Sequence, residues 1–290
     1  ILSRSCPGGV AIEAPFEVIE EGLAARVDTS RPAIVRGYVT AIDSAGSERA
    51  IAEVRTALGH LQAFGLRSIG ELETRIVHEE DWAEAWKQHF PVLHVGRRLV
   101  IRPTWREHTS RPDDVVIALD PGMAFGTGLH PTTRLCLAGI EAWADDGLVE
   151  GTEVLDVGTG SGILAIAAGL LGARHVLAVD TDPLSVEICA RNATLNGLEG
   201  VIDVRRGSLP LAEPATFDLV LANLIAGLLI DIADQLAAVL RPATGRLLAS
   251  GIFHERESEV RSAFESAGLR IIGDRREGDW LALEANTISS

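Results

Sequence analysis

The chain has 290 residues, 47% hydrophobic and 23% charged, which excludes a disordered chain and leaves room for one large and one small domain. Its 26 Lys and Arg are outnumbered by 41 Asp and Glu, for a formal net charge of −15. So acidic a surface repels phosphate backbones, disfavouring direct nucleic-acid binding as the main task and favouring a cationic partner; the alternative is that the charge serves only solubility.

In chain order, "GVAIEAPF" (9–16) and "AIVRGYVT" (33–40) read as strands bounded by Gly and Pro. "ERAIAEVRTALGHLQAFG" places Ile51, Val54, Leu58 and Leu61 at helical spacing, with Gly65 as its stop. "ELETRIVHEE" (71–80) follows as a third strand. This order predicts a small ferredoxin-like α+β domain over residues 1–78 whose first strand and most of whose first helix are missing. The chain opens at Ile1 without Met, so the N-terminus is expected to be incomplete. In residues 79–90, Trp82 and Trp86 share one helix face, either as core aromatics or on a linker helix that docks one domain on the other.

The second domain is expected over residues 91–290, beginning with short strands in "VLHVG", "RLVIRPTW" and "DVVIALD". Helices then alternate with strands: helix 132–144, strand 153–157, helix 162–171, strand 175–179, helix 183–196, strand 201–205, strand 217–222, helix 225–240, strand 245–250, helix 255–267, and strands 269–275 and 280–284. Alternation predicts a parallel sheet covered on both faces, and the short "REGD" link closes it with an antiparallel hairpin. That is the outline of a Rossmann-like, seven-stranded α/β fold.

"VLDVGTGSGILAIA" (154–167) carries a strand, a glycine loop and a helix start, the elements of a cofactor pocket at the sheet's C-terminal edge. Gly158, Gly160 and Gly162 do not complete the dinucleotide fingerprint, because Ile163 stands where its last glycine belongs, and the Gly-Lys-Ser/Thr of a phosphate loop is absent. In "VLAVDTDP", Asp180 ends the next strand and can accept both ribose hydroxyls, whereas Asp182 before Pro183 reads as a helix N-cap. Asn223 in "FDLVLANLIAGLL" interrupts an apolar run; it is either a satisfied structural amide or a group facing the reacting atoms. A second Gly-Thr-Gly lies upstream in "DPGMAFGTGLHPTTRLCL" (120–137). It reads as a lid, Met123 to Gly128, with Phe125 as its apolar contact and Thr133 reaching in from the helix start. His130 is either a general base or a capping residue.

These motifs resemble the class I methyltransferases that use S-adenosylmethionine. Together with "EDWAEAWK" and "ANLIAGLL", "AFGTG-x-HPTT" is similar to the bacterial ribosomal protein L-eleven (L11) methyltransferases, from about Glu79 to the C-terminus. The resemblance implies that Thr133, Gly158, Asp180 and Asn223 contact the cofactor, and Phe125, Gly126 and Gly160 are placed with them. It implies methylation of lysine side chains and the α-amino group of L11, a basic substrate that suits the acidic chain, with residues 1–78 as the recognition module. Another protein lysine or a small molecule is the alternative acceptor. Leu129 departs from the polar residue the family pattern has there, and the spacer 141–152 is longer. Asn223-Leu224-Ile225 also lacks the aromatic platform of the Asn-Pro-Pro-Tyr corner used on planar amides and bases, which favours an aliphatic amine.

Cys6, Cys136 and Cys189 form no CxxC, which points to a reducing cytosol. The eight histidines show no metal-ligand spacing, so no metal is expected. The longest apolar run, 219–230, is too short and interrupted to span a bilayer, and residues 1–11 show no signal-peptide pattern. A cytoplasmic monomer is expected.

Overall fold

The computed structural model describes residues 10–13, 16–19, 24–27, 34–37, 39, 44–63, 70, 72–74, 90–120, 126–211 and 216–287. The chain divides into two compact units, Ile1–Trp82 and Ala83–Ser290.

In the first unit, β1 (Val10–Glu13) pairs antiparallel with β4 (Ile34–Gly37), and β2 (Phe16–Ile19) with β3 (Ala24–Val27). Helix α1 spans Ser44–Ala63. The predicted strand 9–16 holds β1, but its last residue, Phe16, opens a separate strand β2 that the sequence reading did not predict. Pro15 stands between them, and a proline has no N–H for a ladder. The β2–β3 pair was not anticipated, because "AARV" has little of the β-branched and aromatic character by which strands are read. Residues 72–74 of the expected third strand are not in a strand; the rest of it, and the expected helix 79–90 apart from Phe90, lie outside the described residues.

The second unit opens with a three-stranded sheet, β5 (Leu93–Val95), β6 (Leu99–Pro103) and β7 (Val115–Leu119), in which β5 is antiparallel and β7 parallel to β6. Then come α2 (Pro131–Asp145), β8 (Glu153–Val157), α3 (Ile163–Leu170), β9 (His175–Asp180), α4 (Pro183–Leu195), β10 (Ile202–Arg206) and β11 (Leu219–Asn223). The chain closes with α5 (Ala226–Asp231), α6 (Ala233–Ala238), β12 (Arg246–Phe253), a 3₁₀ turn, α7 (Glu257–Ser266), β13 (Leu269–Glu277) and β14 (Trp280–Thr287). The sheet order is β10-β9-β8-β11-β12-β14-β13, and β14 runs antiparallel to both its neighbours. The predicted helix 225–240 is two short helices that meet at Ile232, and nothing in its surroundings explains the break.

Strand alternation builds a core on each face. Val154, Val176, Ala178, Leu219 and Leu221 point to the face covered by α2 and α3. Leu155, Val157, Leu177, Val179, Val220 and Ala222 point to the other. Each large apolar side chain buried this way contributes roughly 1.5–3 kcal/mol. After β8, whose neighbours are β9 and β11, successive strands go first to one side and then to the other. That reversal opens a crevice at the C-terminal end of β8, the usual ligand position in such sheets. Among the described residues, no helix is long and apolar enough to cross a membrane.

A buried carboxylate fixes the small sheet to the large one. Glu141 of α2 accepts the N–H groups of Arg97, Arg98 and Leu99 at 2.7, 2.6 and 3.2 Å, closing the β5–β6 turn. Gly96 has φ 67°, and a Cβ there would overlap the Glu141 carboxylate. Truncating Glu141 leaves these donors without their acceptor, at a cost of roughly 1–3 kcal/mol for each one that stays buried. Glu141→Ala is therefore expected to lower unfolding free energy by about 3 kcal/mol in a urea titration, more than most single substitutions cost.

Candidate active site

The strand-loop-helix at β8 forms the floor of the crevice. Gly158, Gly160 and Gly162 have φ of 71°, 54° and 84°, a region only glycine enters freely. A Cβ on Gly158 would overlap Leu224, and one on Gly162 would lie 2.7 Å from Cys189 Sγ. The loop is thus held tightly from two sides while the amide ends of α3 face the crevice.

Beneath the loop lies Asp156, 1% exposed. Its Oδ2 accepts the Thr159 hydroxyl at 2.6 Å and the Ala165 N–H at 3.2 Å, while Oδ1 has no partner among the described residues. Burial pushes its pKa up to about 6, against the pull of those two bonds.

Asp180 ends β9 beside the loop. Its Oδ2 accepts the Gly160 N–H at 2.9 Å and its Oδ1 the Asp182 N–H at 3.0 Å. Each oxygen keeps a free lone pair. Asp182 is the N-cap of α4 and accepts from the Leu184 N–H at 3.0 Å.

Across the crevice, Asn223 ends β11. Its Nδ2 donates to Thr133 Oγ1 at 3.3 Å, and its buried Oδ1 has no partner among the described residues. Thr133 is fully buried in the first turn of α2. His130 is the N-cap of that helix: Nδ1 accepts from the Thr132 N–H and lies 2.7 Å from Thr132 Oγ1. Burial, then the positive Arg134, lower its pKa, and Glu277 opposes them. The upstream Gly-Thr-Gly docks on the loop, with Ser161 Oγ donating to the Gly126 carbonyl at 2.6 Å.

A family model described as ribosomal protein L11 methyltransferase (PrmA) matches residues 7–287. The chain belongs to the ribosomal protein L11 methyltransferase family. A relative of that name from Chloroflexus aurantiacus is 43% identical over 300 residues, covering 95% of this chain and 89% of its own. Another, from Geobacter sulfurreducens, is 47% identical over 254 residues, covering 87% and 81%. The solved structure of a ribosomal protein L11 methylase from Lactobacillus delbrueckii subsp. bulgaricus is 37% identical with a TM-score of 0.60, covering 68% of this chain and 98% of that one. Its likeness over that share of the chain fits the class I methyltransferase fold expected from the sequence.

In this family member Gly160 is hydrogen-bonded to Asp180 and Thr133 to Asn223, while Gly126 is bonded to Ser161 of the loop and Gly158 lies against Leu224. Phe125 lies outside the described residues. Sequence reasoning missed Asp156, although an acid inside "VLDVG" was a signal. It also missed an aromatic wall beside His130. Trp280 meets the His130 ring edge-on at 4.8 Å and Phe253 at 5.3 Å. These residues lie far apart in sequence, and only the β12–β14 register, which pairs Phe253 with Trp280, brings them together.

Asp156 also makes stability depend on pH. Its folded pKa of about 6 lies above the ordinary 3.8, so proton uptake favours the folded state. The cost of its buried charge is fully felt above about pH 6 and relieved as pH falls toward 4. Asp156→Asn carries no such term. Between pH 7 and pH 4, wild type should therefore gain stability relative to Asp156→Asn by up to about 3 kcal/mol, measured by paired denaturant titrations.

Proposed function

We propose that this chain is an S-adenosylmethionine-dependent N-methyltransferase acting in the cytoplasm on lysine side chains and the α-amino group of ribosomal protein L11. The observation that carries the reading is Asn223. A buried amide oxygen without a partner costs roughly 1–3 kcal/mol, and this one lies at the C-terminal edge of the sheet beside Thr133. An acceptor left spare there suits an incoming amine N–H.

The residues fit the cofactor. The glycine loop lets its backbone come close to a ligand, and the spare lone pairs of Asp180 suit two ribose hydroxyls. Thr133, with Gly126 and Phe125 before it, would border the methionine end. S-adenosylmethionine supplies a methyl group on a sulfonium cation.

The chain's own task is to present a neutral amine in line. Lysine has a pKa near 10.4 in water, and burial in this crevice favours the uncharged form. Asn223 Oδ1 then accepts one amine hydrogen and aims the lone pair, so catalysis is mainly positioning. The aromatic wall of Trp280, Phe253 and His130 offers a face to an arriving ammonium group. His130 Nδ1 is engaged by Thr132, so capping suits it better than proton abstraction. Ile225, 74% exposed just beyond Asn223, offers aliphatic contact to the acceptor's stem. Residues 1–78 would recognise L11, residues 79–90 link the domains, and the net charge of −15 complements a basic substrate.

With methyl-labelled S-adenosylmethionine and purified L11, label should appear on L11, and mass spectrometry should place it on lysine and α-amino nitrogens. Transfer only to another protein or a small molecule would replace the proposed substrate. In the same assay, Asn223→Ala should lower kcat about 100-fold while cofactor affinity changes much less; an unchanged kcat removes the aiming role.

A further inference from the structure

Helix α4 and its C-cap carry two buried or half-buried amides, Asn192 and Asn196, one turn apart, that do different work. Asn196 binds both backbone groups of Ala118, accepting its N–H at 2.9 Å and donating to its carbonyl at 2.7 Å. It completes the open edge of β7 as a neighbouring strand would. This pair of bonds helps anchor the end of α4 to the small sheet.

Asn192, with no solvent exposure, does something else. Its Oδ1 accepts the Asp120 N–H at 3.0 Å, and its Nδ2 donates to the Ser161 carbonyl in the glycine loop at 2.8 Å. Ser161 in turn donates its hydroxyl to the Gly126 carbonyl at 2.6 Å. One continuous chain of hydrogen bonds thus runs from Asp120 through Asn192 and Ser161 to Gly126. It fastens the glycine loop to both residues that flank 121–125. The approach at the far end is close: Gly126 has φ 96°, and a Cβ on it would sit 2.9 Å from Ser161 Oγ. From Gly126 the chain continues through Gly128 to His130, the cap of α2, and then to Thr133, which holds Asn223.

We infer that Asn192 and Ser161 are positioning residues: Asn192 holds the cofactor loop at the Ser161 carbonyl, and the Ser161 hydroxyl ties that loop to the segment leading to the Thr133–Asn223 pair. Occupancy of the loop and alignment of the acceptor side are thereby coupled. This rests on the glycine loop being the S-adenosylmethionine site. Neither residue need touch a ligand: Asn192 uses both ends of its amide on backbone groups, and Ser161 acts through Gly126. The two ties are separate: Asn192→Ala leaves the Ser161 hydroxyl on the Gly126 carbonyl, and Ser161→Ala leaves the Asn192 bonds to Asp120 and the loop, so losing both releases the loop further than losing either.

The test uses the full chain as wild type, Asn192→Ala, Ser161→Ala and the double variant. S-adenosylmethionine affinity is measured by calorimetry, and the single-turnover rate is measured with cofactor and L11 both saturating. Each single variant should raise the cofactor Kd about fivefold or more, the loss typical of a buried hydrogen bond, and should lower the saturated rate. The double variant should be worse than either single. A lowered Tm with unchanged Kd and rate would overturn the inference. Ser161→Ala removes only one hydroxyl and keeps the test decisive if Asn192→Ala does not fold. Wild type that binds no S-adenosylmethionine overturns the cofactor reading as well, a result distinct from wild type that binds and variants that match it.

Discussion

The arrangement of the crevice depends on one buried charge. Asp156 occupies an inward position on the central strand, where its neighbours in the alternation are Val154 and the core beneath α2 and α3. A carboxylate there is costly unless donors surround it. The chain provides them by bending back over it, with Thr159 in the loop and the Ala165 N–H in the first turn of α3. The loop is therefore shaped from below. Its glycines accept the curvature, and Leu224 and Cys189 close it from the sides. The residues that face the crevice inherit their positions from this turn.

Around that floor, polar groups differ in how much of their bonding capacity the protein itself uses. Asp182 is committed to capping α4, and Glu141 to three amides of a turn. Asn192 and Asn196 spend both ends of their amides on backbone. Asp180 accepts two N–H groups and keeps capacity to spare, and Asn223 keeps an entire oxygen unpaired. Both lie at the end of the sheet where strand order reverses, while the saturated groups hold the frame. Residue type does not mark the difference, since Asp and Asn appear in both sets.

Much of this was legible in the sequence where the determinants are local. Strand Glu153–Val157 has the bounds its pattern predicts, Asp182 and Pro183 start α4 as their cap chemistry dictates, and the short link before Trp280 makes the antiparallel hairpin. What escaped depends on distant partners. Glu141 looks like one more charge on a helix until the β5–β6 turn folds onto it. Trp280 reads as an ordinary strand residue until the register sets it against His130 and Phe253. The split at Ile232 leaves a helical spacing of buried residues, Leu229, Ile232, Ala233 and Leu236, so periodicity passes through it unmarked.

The two Gly-Thr-Gly stretches show how one tripeptide serves two ends. Both contain glycines at positive φ, so backbone freedom does not distinguish them. Their neighbours do. Gly158 lies against Leu224, directly after Asn223, so its close approach joins the floor to the end of β11. Gly126 lies against Ser161, so its close approach joins the upstream segment to the floor. A side chain at either position would push apart surfaces that the crevice needs together. The repeated motif is thus a matched pair of contacts, one on each side of the same loop, and the upstream copy docks on that loop although it follows no strand of the large sheet.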